Sequence, residues 1–286
     1  MGTSKPFGGA GNRTPLVPSW LTSAGGGTVG GAAPPDGVGG MEGDANQVID
    51  QRPSVELRPA GFEFTQARTN FSRFVRSGGS DRRALGRAMH AYVGRATGGS
   101  RNAATRMGSS ISTAGSFYDV LSDIRTQGLD QVLRSVSREE LTGRSAVEIL
   151  AALSDLICGP GGSIDEGIAR DAFFETVIEF AELGIADLNA LTVDQIDELL
   201  ARFMCNSVEM RLIADIGTKL ISLPSSESQV GSIRDQLRDF IREAVAVKLQ
   251  AEIKSLGRYA SDSVRPAILS IYESAWSILE SWEVSE

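Results

Sequence analysis

Histidine is almost missing from this sequence, in which His90 is the single imidazole. Most zinc sites and Ser-His-Asp triads need imidazole, so the composition excludes most chemistry of those classes. Carboxylate metal sites inside helical bundles use Glu-x-x-His pairs, and the sequence has none. His90 falls in a segment with helical periodicity, residues 81–96, where we expect it at the surface or at the edge of the core. We therefore predict no metal site and no cofactor.

Cysteines and long apolar runs are also scarce. Cys158 and Cys205 lie far apart in apolar, helical surroundings, which is typical of reduced core thiols in a cytosolic protein. No apolar stretch approaches the roughly 20 residues that span a bilayer. Proline and glycine interrupt every candidate for the core of a signal peptide. The prediction is a soluble, cytoplasmic protein with no membrane segment.

The sequence shows no catalytic constellation. The glycine runs at residues 25–27 and 158–163 lack a following Gly-Lys-Ser/Thr and a preceding strand, so we interpret them as a linker and a helix stop. Several acidic residues of the C-terminal half are expected on exposed, solvated helical faces: Asp165, Glu166, Asp171, Glu175, Glu179, Glu182, Asp194, Asp197 and Glu198. We predict that the chain is not an enzyme. An enzyme of another type would need carboxylates that converge in a helical cleft.

Glycine and proline are abundant in one place, with 13 glycines and 5 prolines in residues 1–45. Such a composition cannot bury enough apolar area to offset chain entropy, so we predict a long disordered tail over residues 1–60. The tail contains one apolar cluster, which we predict to anchor it to another protein. Its residues are Pro15, Leu16, Val17, Pro18, Trp20 and Leu21.

Residues 61–286 show helical periodicity almost throughout. Apolar residues recur at three- and four-residue spacing, glycines or prolines end the segments, and no stretch alternates as a strand does. Capping boxes are predicted at Ser163 and Thr192. The predicted helices cover residues 62–75, 81–96, 102–107, 112–126, 129–136, 145–158, 163–184, 193–205, 208–223, 230–256 and 264–282. The prediction is an all-α fold of about ten helices, packed as an irregular multi-helix bundle.

Charge is distributed unevenly along the chain. Residues 1–111 hold 13 basic and 7 acidic residues, a net charge of +6, whereas residues 112–286 hold 15 and 29, a net charge of −14. Nine arginines and one acidic residue lie between Phe64 and Arg106. The arginine-rich helices 62–111 could dock on the acidic helical part 112–286, bind an acidic partner protein, or bind nucleic-acid phosphates. The candidate contact residues are Arg68, Arg73, Arg76, Arg82, Arg83 and Arg87. Missing lysines and stacking aromatics weaken the nucleic-acid interpretation.

The first residues have a chemical feature of their own. Removal of Met1 would expose the α-amine of Gly2, whose pKa is ordinarily about 7.7–8, so part of it is a neutral nucleophile at pH 7. The myristoylation pattern fails because Pro6 occupies the position that requires serine or threonine. From the residues alone we expect a free, unmodified end.

Two short motifs and the general layout resemble a known family. The opening Met1-Gly2-Thr3-Ser4, the run Thr14-Pro15-Leu16-Val17-Pro18-Ser19-Trp20, a glycine-rich spacer and an all-helical body are similar to the QatB family of the four-component Qat anti-phage defence system. The resemblance implies a component without enzyme motifs. The resemblance also implies that this component works beside an ATPase (QatA), a QueC-like enzyme (QatC) and a TatD-like nuclease (QatD).

The resemblance also implies a role for the N-terminus. QueC-like enzymes make 7-deazaguanine nitriles with ATP, and related defence systems use such enzymes to attach a deazaguanine to a protein N-terminus. By that analogy, QatC binds this chain and modifies Gly2, with Thr3 and Ser4 in its pocket and Pro15–Leu21 docked on its surface. Trp20 is the expected hot spot of that contact. The alternative is an adaptor whose arginine-rich helices bring DNA to the nuclease.

Overall fold

The computed structural model describes residues 64–183, 185, 187–217, 226–258 and 261–282. Within these ranges the chain forms eleven α-helices and no β-strand, so the predicted all-α fold is confirmed. The helices are α1 (Thr65–Arg76), α2 (Arg82–His90), α3 (Ser100–Thr105), α4 (Gly108–Gln127), α5 (Leu129–Ser135), α6 (Ala146–Ala152), α7 (Ser154–Cys158), α8 (Ile164–Glu182), α9 (Val193–Ile216), α10 (Glu227–Ile253) and α11 (Ser261–Ser281). The predicted disordered tail and its boundary at residue 60 lie outside the described residues and stay predictions.

A glycine turn joins α1 and α2 into a helical hairpin. Gly78 and Gly79 have φ values of +68° and +88°, which glycine adopts without steric cost. Asp81 then caps α2, because its Oδ1 accepts a hydrogen bond of 2.8 Å from the backbone amide of Ala84. α2 continues directly into a π-helical turn, Ala91–Ala96, so the helix predicted here has a change of winding near its end.

Four helices begin with a capping box. The two predicted boxes, at Ser163 and Thr192, open α8 and α9. The same pattern opens α6 at Ser145 and α10 at Ser226, and neither of these was predicted. In each box the hydroxyl accepts a hydrogen bond from the amide three residues later, and the Glu or Gln there accepts one in return. These reciprocal bonds determine where the four helices begin.

α9 is one helix where the sequence predicted two. It runs unbroken through the polar pair Asn206-Ser207, and both of these side chains are fully buried. Asn206 Nδ2 donates to Thr176 Oγ1 over 3.1 Å, and Ser207 Oγ lies 2.7 Å from the Tyr272 hydroxyl. Partners on α8 and α11 therefore satisfy the polar groups, and the helix continues through them. The predicted stop at Pro224 lies outside the described residues.

In the segment before α8, the structure has two helices where the sequence predicted one. A single helix was predicted over residues 145–158, but the structure has α6 and α7, divided at Leu153. Leu153 has φ −88° and ψ 3°, which interrupts the regular α-helical winding between the two short helices. The apolar spacing continues across the interruption, so the sequence pattern alone did not show it.

One hydrophobic core joins the arginine-rich and acidic parts of the described chain. Its largest fully buried side chains are Trp276, Tyr92, Tyr272, Phe71, Phe74, Phe117, Phe173, Phe180, Phe203 and Phe240. The rings of Phe117 and Phe173 meet edge to face with centroids 5.3 Å apart. The hairpin α1–α2 and the short α3 connect to the rest mainly through α2 and α3, which pack on α11. Among the described helices, none has the length and apolarity needed to cross a membrane.

Candidate partner-binding surfaces

The predicted N-terminal contact residues lie outside the described residues, and their roles stay predictions. They are Gly2, Thr3, Ser4, Pro15, Leu16, Val17, Pro18, Trp20 and Leu21. The structure does describe the six arginines predicted to contact phosphate or an acidic partner. Their surroundings divide them into arginines that bind within the body and arginines that remain available at its surface.

Arg68 belongs to the first group. Its Nε and Nη2 both donate to the backbone carbonyl oxygen of Asp215, at 3.1 and 3.0 Å. Its guanidinium also lies over the ring of Phe64, 5.4 Å from the centroid. Arg68 therefore ties the start of α1 to the end of α9.

The side chain of Asp215 extends the same cluster. Its Oδ2 accepts hydrogen bonds from the Tyr92 hydroxyl at 2.8 Å and from Arg106 Nη2 at 3.0 Å. Arg106 and Tyr92 also contact Phe64, with distances of 5.7 and 5.9 Å to its ring centroid. Burial, followed by the charge of Asp215, raises the pKa of Tyr92, so its hydroxyl stays a donor. We call Phe64, Arg68, Tyr92, Arg106 and Asp215 the Phe64 clamp.

Arg82 also binds within the body. It forms an ion pair with Glu243 of α10, and its guanidinium lies 5.6 Å from the ring centroid of Phe240. Together with the Phe64 clamp, this contact shows that part of the arginine-rich segment docks on the acidic part. Arg83 is exposed, but it also takes part in an interaction.

Three of the predicted arginines form the second group. Arg73 and Arg76 on α1 and Arg87 on α2 are exposed. No hydrogen bond or ion pair joins their guanidinium groups to any described residue. Their charges are therefore available to a phosphate or to an acidic partner, whereas the charges of Arg68 and Arg82 are already engaged.

A cleft of about 690 Å³ lies between α1, α2 and the end of α11. Asn70, Arg87, His90 and Glu280 are among the residues that line it. His90 Nδ1 lies 3.1 Å from the backbone oxygen of Glu280, and the imidazole is exposed, as predicted. Because the cleft presents charges of both signs, its lining does not select an anionic or a cationic ligand.

A cluster of partly buried ion pairs joins α8, α9 and α10, and it was not predicted from the sequence. Glu209 on α9 has no exposed side-chain surface. It accepts hydrogen bonds from Arg234 Nε at 3.3 Å and from Arg238 Nε at 2.8 Å. Glu175 Oε1 on α8 accepts hydrogen bonds from Nη2 of the same two arginines, at 3.1 and 3.2 Å. Each guanidinium therefore bridges carboxylates on two helices.

The cluster continues one turn along α10. Glu179 on α8 accepts hydrogen bonds from Arg242 and, at 3.2 Å, from Arg202 Nη1 of α9. We call the whole set the Glu–Arg seam: Glu175, Glu179, Glu209, Arg202, Arg234, Arg238 and Arg242. Its signal in the sequence is the four-residue spacing of Arg234, Arg238 and Arg242, which places three cations on one face of a helix.

The prediction that the acidic residues lie on exposed faces is wrong for part of the set. Glu179 and Asp197 are buried, and Glu166, Glu175 and Glu198 are half-buried. The others of the set, Asp165, Asp171, Glu182 and Asp194, are exposed as predicted. The correction has a physical reason for Glu175, Glu179 and Glu198, because arginines of α9 and α10 supply the opposite charge that burial requires.

Asp197, in contrast, is buried without an ion pair to a described residue. Burial, more than the nearby charge of Asp194, raises the pKa of its carboxyl group above the usual range. Its Oδ2 has no hydrogen-bond partner within the described residues. The folded protein therefore holds the proton of this carboxyl group more tightly than the unfolded chain does.

Both cysteines are free and buried, as predicted. Burial raises the pKa of Cys158 and of Cys205 to about 12. Both thiols therefore stay protonated near neutral pH, where a thiolate would be needed for nucleophilic attack or metal binding. Within the described ranges, no group of three or more His, Cys, Asp or Glu side chains is arranged to hold a metal ion.

These features define an all-helical protein whose long helices are joined by one apolar core and by buried ion pairs. The family model for the Qat anti-phage system associated protein QatB matches residues 98–279. This is more than half of the chain, which therefore belongs to that family. No curated protein and no solved structure matches the chain. The matched region contains the whole Glu–Arg seam, whereas the hairpin α1–α2 lies before it.

Proposed function

We propose that this chain is a cytoplasmic, non-enzymatic subunit of a Qat anti-phage system that binds QatC, a QueC-like partner, and presents its own N-terminus as a substrate. Family membership carries the proposal, because it places the chain in the defence system. The small residues Gly2, Thr3 and Ser4 and the apolar segment Pro15–Leu21 support the role of the N-terminus. The ATPase QatA and the TatD-like nuclease QatD complete the proposed set of partners.

The proposed reaction forms an amide at Gly2. QatC activates the carboxyl group of a 7-deazaguanine with ATP, which gives an acyl adenylate and pyrophosphate. The neutral α-amine of Gly2 attacks the activated carbon; the new C–N bond forms, the bond to AMP breaks, and the nitrogen loses a proton. Glycine and the two small residues after it let the backbone amine approach the activated group closely.

The Phe64 clamp supports this proposal from the side of the body. Phe64 contacts Arg68 of α1, Tyr92 in the turn after α2 and Arg106 at the end of α3, and all three of these residues bind Asp215 of α9. All residues of the proposed contact segment precede this fixed point in the chain. The proposed contact segment is therefore joined in sequence to a helical body whose first described residues are held by several contacts.

Co-expression with QatC, followed by purification and mass measurement of the N-terminal peptide, tests the proposal. We expect a stable complex in which the peptide beginning at Gly2 gains the mass of one deazaguanine acyl group. Trp20→Ala should weaken the complex by about 2–4 kcal/mol, or roughly 30- to 1,000-fold, with the Tm of the body unchanged. Ser23→Ala, just outside the proposed contact segment, is the control and should leave the affinity unchanged. An unmodified Gly2 in a complex that protects against phage would contradict the proposal.

A second candidate function, recruitment of DNA to the nuclease, is favoured by one observation. Arg73, Arg76 and Arg87 form no ion pair with a described residue and remain exposed. In this candidate they contact phosphates, and binding weakens steeply as salt rises. Arg68 and Arg82 contribute less, because their guanidinium groups already bind within the body.

Salt-dependent DNA binding by the full chain tests this candidate. Reversal of all three charges (Arg73→Glu, Arg76→Glu and Arg87→Glu) should lower DNA affinity at least tenfold and reduce the salt dependence. Three reversals at exposed arginines elsewhere (Arg125→Glu, Arg134→Glu and Arg144→Glu) change the net charge by the same amount and are the control. Absence of DNA binding at low salt would refute the candidate and leave the presentation of Gly2 unaffected.

A further inference from the structure

α8 carries an apolar stripe on the side that faces away from the core. Ile164, Phe174 and Ile178 expose 81%, 37% and 58% of their surface. Positions 174, 178 and 181 follow one another at intervals of four and three, and position 167 lies seven residues before 174, so these four form one line along the helix. Phe174, Ile178 and Ala181 occupy the C-terminal half of that line.

The stripe is not required for the packing of α8. The opposite face of the helix already packs on α4, α6 and α9 through buried residues such as Ala172, Phe173 and Phe180. Leu156 on α7, which packs against α8, is also half exposed. A single exposed apolar residue needs no explanation, but several along one line of a helix indicate an interaction surface.

Negative charge borders the stripe on one side. Asp171 and Glu182 are exposed and form no ion pair with any described residue. Their positions on the helix place both on the same side of Phe174 and Ile178. The one basic residue of α8, Arg170, lies on the other side and is already bound to Asp155.

The other carboxylates of α8 cannot provide this negative border, because neighbouring groups already bind them. Asp165 accepts a hydrogen bond of 2.7 Å from Arg211. Glu166 belongs to the capping box, and Glu175 and Glu179 belong to the Glu–Arg seam. Asp171 and Glu182 thus carry the negative charge on α8 that a partner could use.

We propose that this face of α8 docks an amphipathic helix of a partner protein, with an apolar ridge and with lysine or arginine along one border. A helix fits because side-chain ridges pack into the grooves of a facing helix, and Gly167 and Ala181 leave room for such ridges. The line from Gly167 to Ala181 is about 21 Å long, which corresponds to about four helical turns of the partner. Basic residues on the border that meets Asp171 and Glu182 would orient it. The surface lies within the family-matched region and is separate from the proposed presentation of Gly2.

Two synthetic helical peptides with the same leucine face test the proposal, one bordered by lysine and the other by glutamate. Fluorescence anisotropy with the full chain should show at least tenfold tighter binding of the lysine peptide, and added salt should reduce this preference. Ile178→Ser should weaken binding of the lysine peptide at least tenfold. The double substitution Asp171→Lys and Glu182→Lys should abolish the preference between the two peptides.

Val247→Ser is the matched control, because Val247 is an exposed apolar residue on a different helix, with 81% of its surface accessible. It should leave the binding of both peptides unchanged, and every variant should keep its Tm. Failure of both peptides to bind, or equal loss of affinity in Val247→Ser and Ile178→Ser, would overturn the proposal. Self-association that Ile178→Ser abolishes would overturn it in favour of a second copy of this chain. Tighter binding of a peptide of residues 10–24 at this face would overturn it in favour of the N-terminal segment.

Discussion

Replacement of Glu209 tests the energetic role of the Glu–Arg seam. Glu209→Gln keeps the size of the side chain but removes a charge from a site with no exposed surface. Arg234 would then keep only the carboxylate of Glu175, whereas Arg238 would keep Glu175 and, at 3.8 Å, Glu179. Loss of one partner from a buried ion pair costs about 3–5 kcal/mol, because the remaining charge stays desolvated. Glu175 and partial exposure of both arginines still compensate in part, so we expect a loss of about 3 kcal/mol.

Glu243→Gln is the matched control for this substitution. Glu243 is also paired with an arginine, Arg82, but both side chains of the pair are largely exposed. Exposed ion pairs contribute about 0–1 kcal/mol, so this variant should lose little stability. Urea unfolding followed by circular dichroism measures both losses. In thermal unfolding, Glu209→Gln should lower Tm by roughly 6–12 °C, at about 2–4 °C per kcal/mol for a protein of this size.

The comparison can refute the reasoning in two ways. A loss in Glu209→Gln no larger than that in Glu243→Gln would show that the seam does not stabilise the bundle through its buried charge. The double variant Glu209→Met and Arg238→Met should recover much of the lost stability, since apolar side chains of similar volume can replace a buried pair. If the double variant is less stable than both Glu209→Met alone and Arg238→Met alone, desolvation of the remaining charge is not the cause of the loss.

Three smaller predictions concern other buried polar groups. Asp197→Asn should raise the free energy of unfolding near neutral pH. Burial raises the pKa of Asp197, so the folded state binds this proton more tightly than the unfolded state does. Stability is therefore lost as the pH rises above the ordinary carboxyl pKa of about 4. The gain should therefore vanish below about pH 4, and urea unfolding at several pH values measures it. Tyr92→Phe should cost about 1.5–3 kcal/mol in the same assay, because it removes a hydrogen bond to the charged Asp215 but keeps the ring. Cys158 and Cys205 should react slowly with a thiol reagent at pH 8 and rapidly in urea, since burial raises the pKa of both to about 12; rapid reaction of the folded protein would contradict this.

Local patterns in the sequence predicted most helices, because helix formation depends on spacing and caps within a few residues. The capping boxes at Ser163 and Thr192 are examples, since each consists of two residues three positions apart. The continuity of α9 could not be predicted in this way. Its polar residues Asn206 and Ser207 depend on partners 30 and 65 positions away, which come close only in the folded chain.

The burial of charges was the hardest property to predict. Glu179 is a charged residue of a type that is usually exposed. It is buried because Arg242, 63 positions later, binds it. Arg68 is likewise engaged by a backbone carbonyl 147 positions away. Such contacts join residues distant in sequence, so a count of charges within a segment does not show which of them reach solvent. The spacing of arginines along α10 is the local signal that could have indicated the seam.

The residues that suggested the family are not the residues that the family model matches. The motifs that carry the resemblance are Met1–Ser4 and Thr14–Trp20, whereas the spacer and the body add little specificity of their own. The family match, in contrast, covers residues 98–279, which lie entirely in the helical body. The body therefore carries more family-specific sequence than its regular helical pattern indicated.

The net charges of the two segments, +6 before residue 112 and −14 after it, do not describe the surface that a partner meets. The seam and the Phe64 clamp neutralise many of the charges inside the body. Five of the candidate contact residues described above are exposed and form no ion pair with a described residue. Arg73, Arg76 and Arg87 are basic and lie on α1 and α2, whereas Asp171 and Glu182 are acidic and lie on α8. At these five residues, a partner that recognises charge meets a basic hairpin or an acidic border beside an apolar stripe. Substitutions at those five residues separate the two surfaces, whereas substitutions in the seam report on folding.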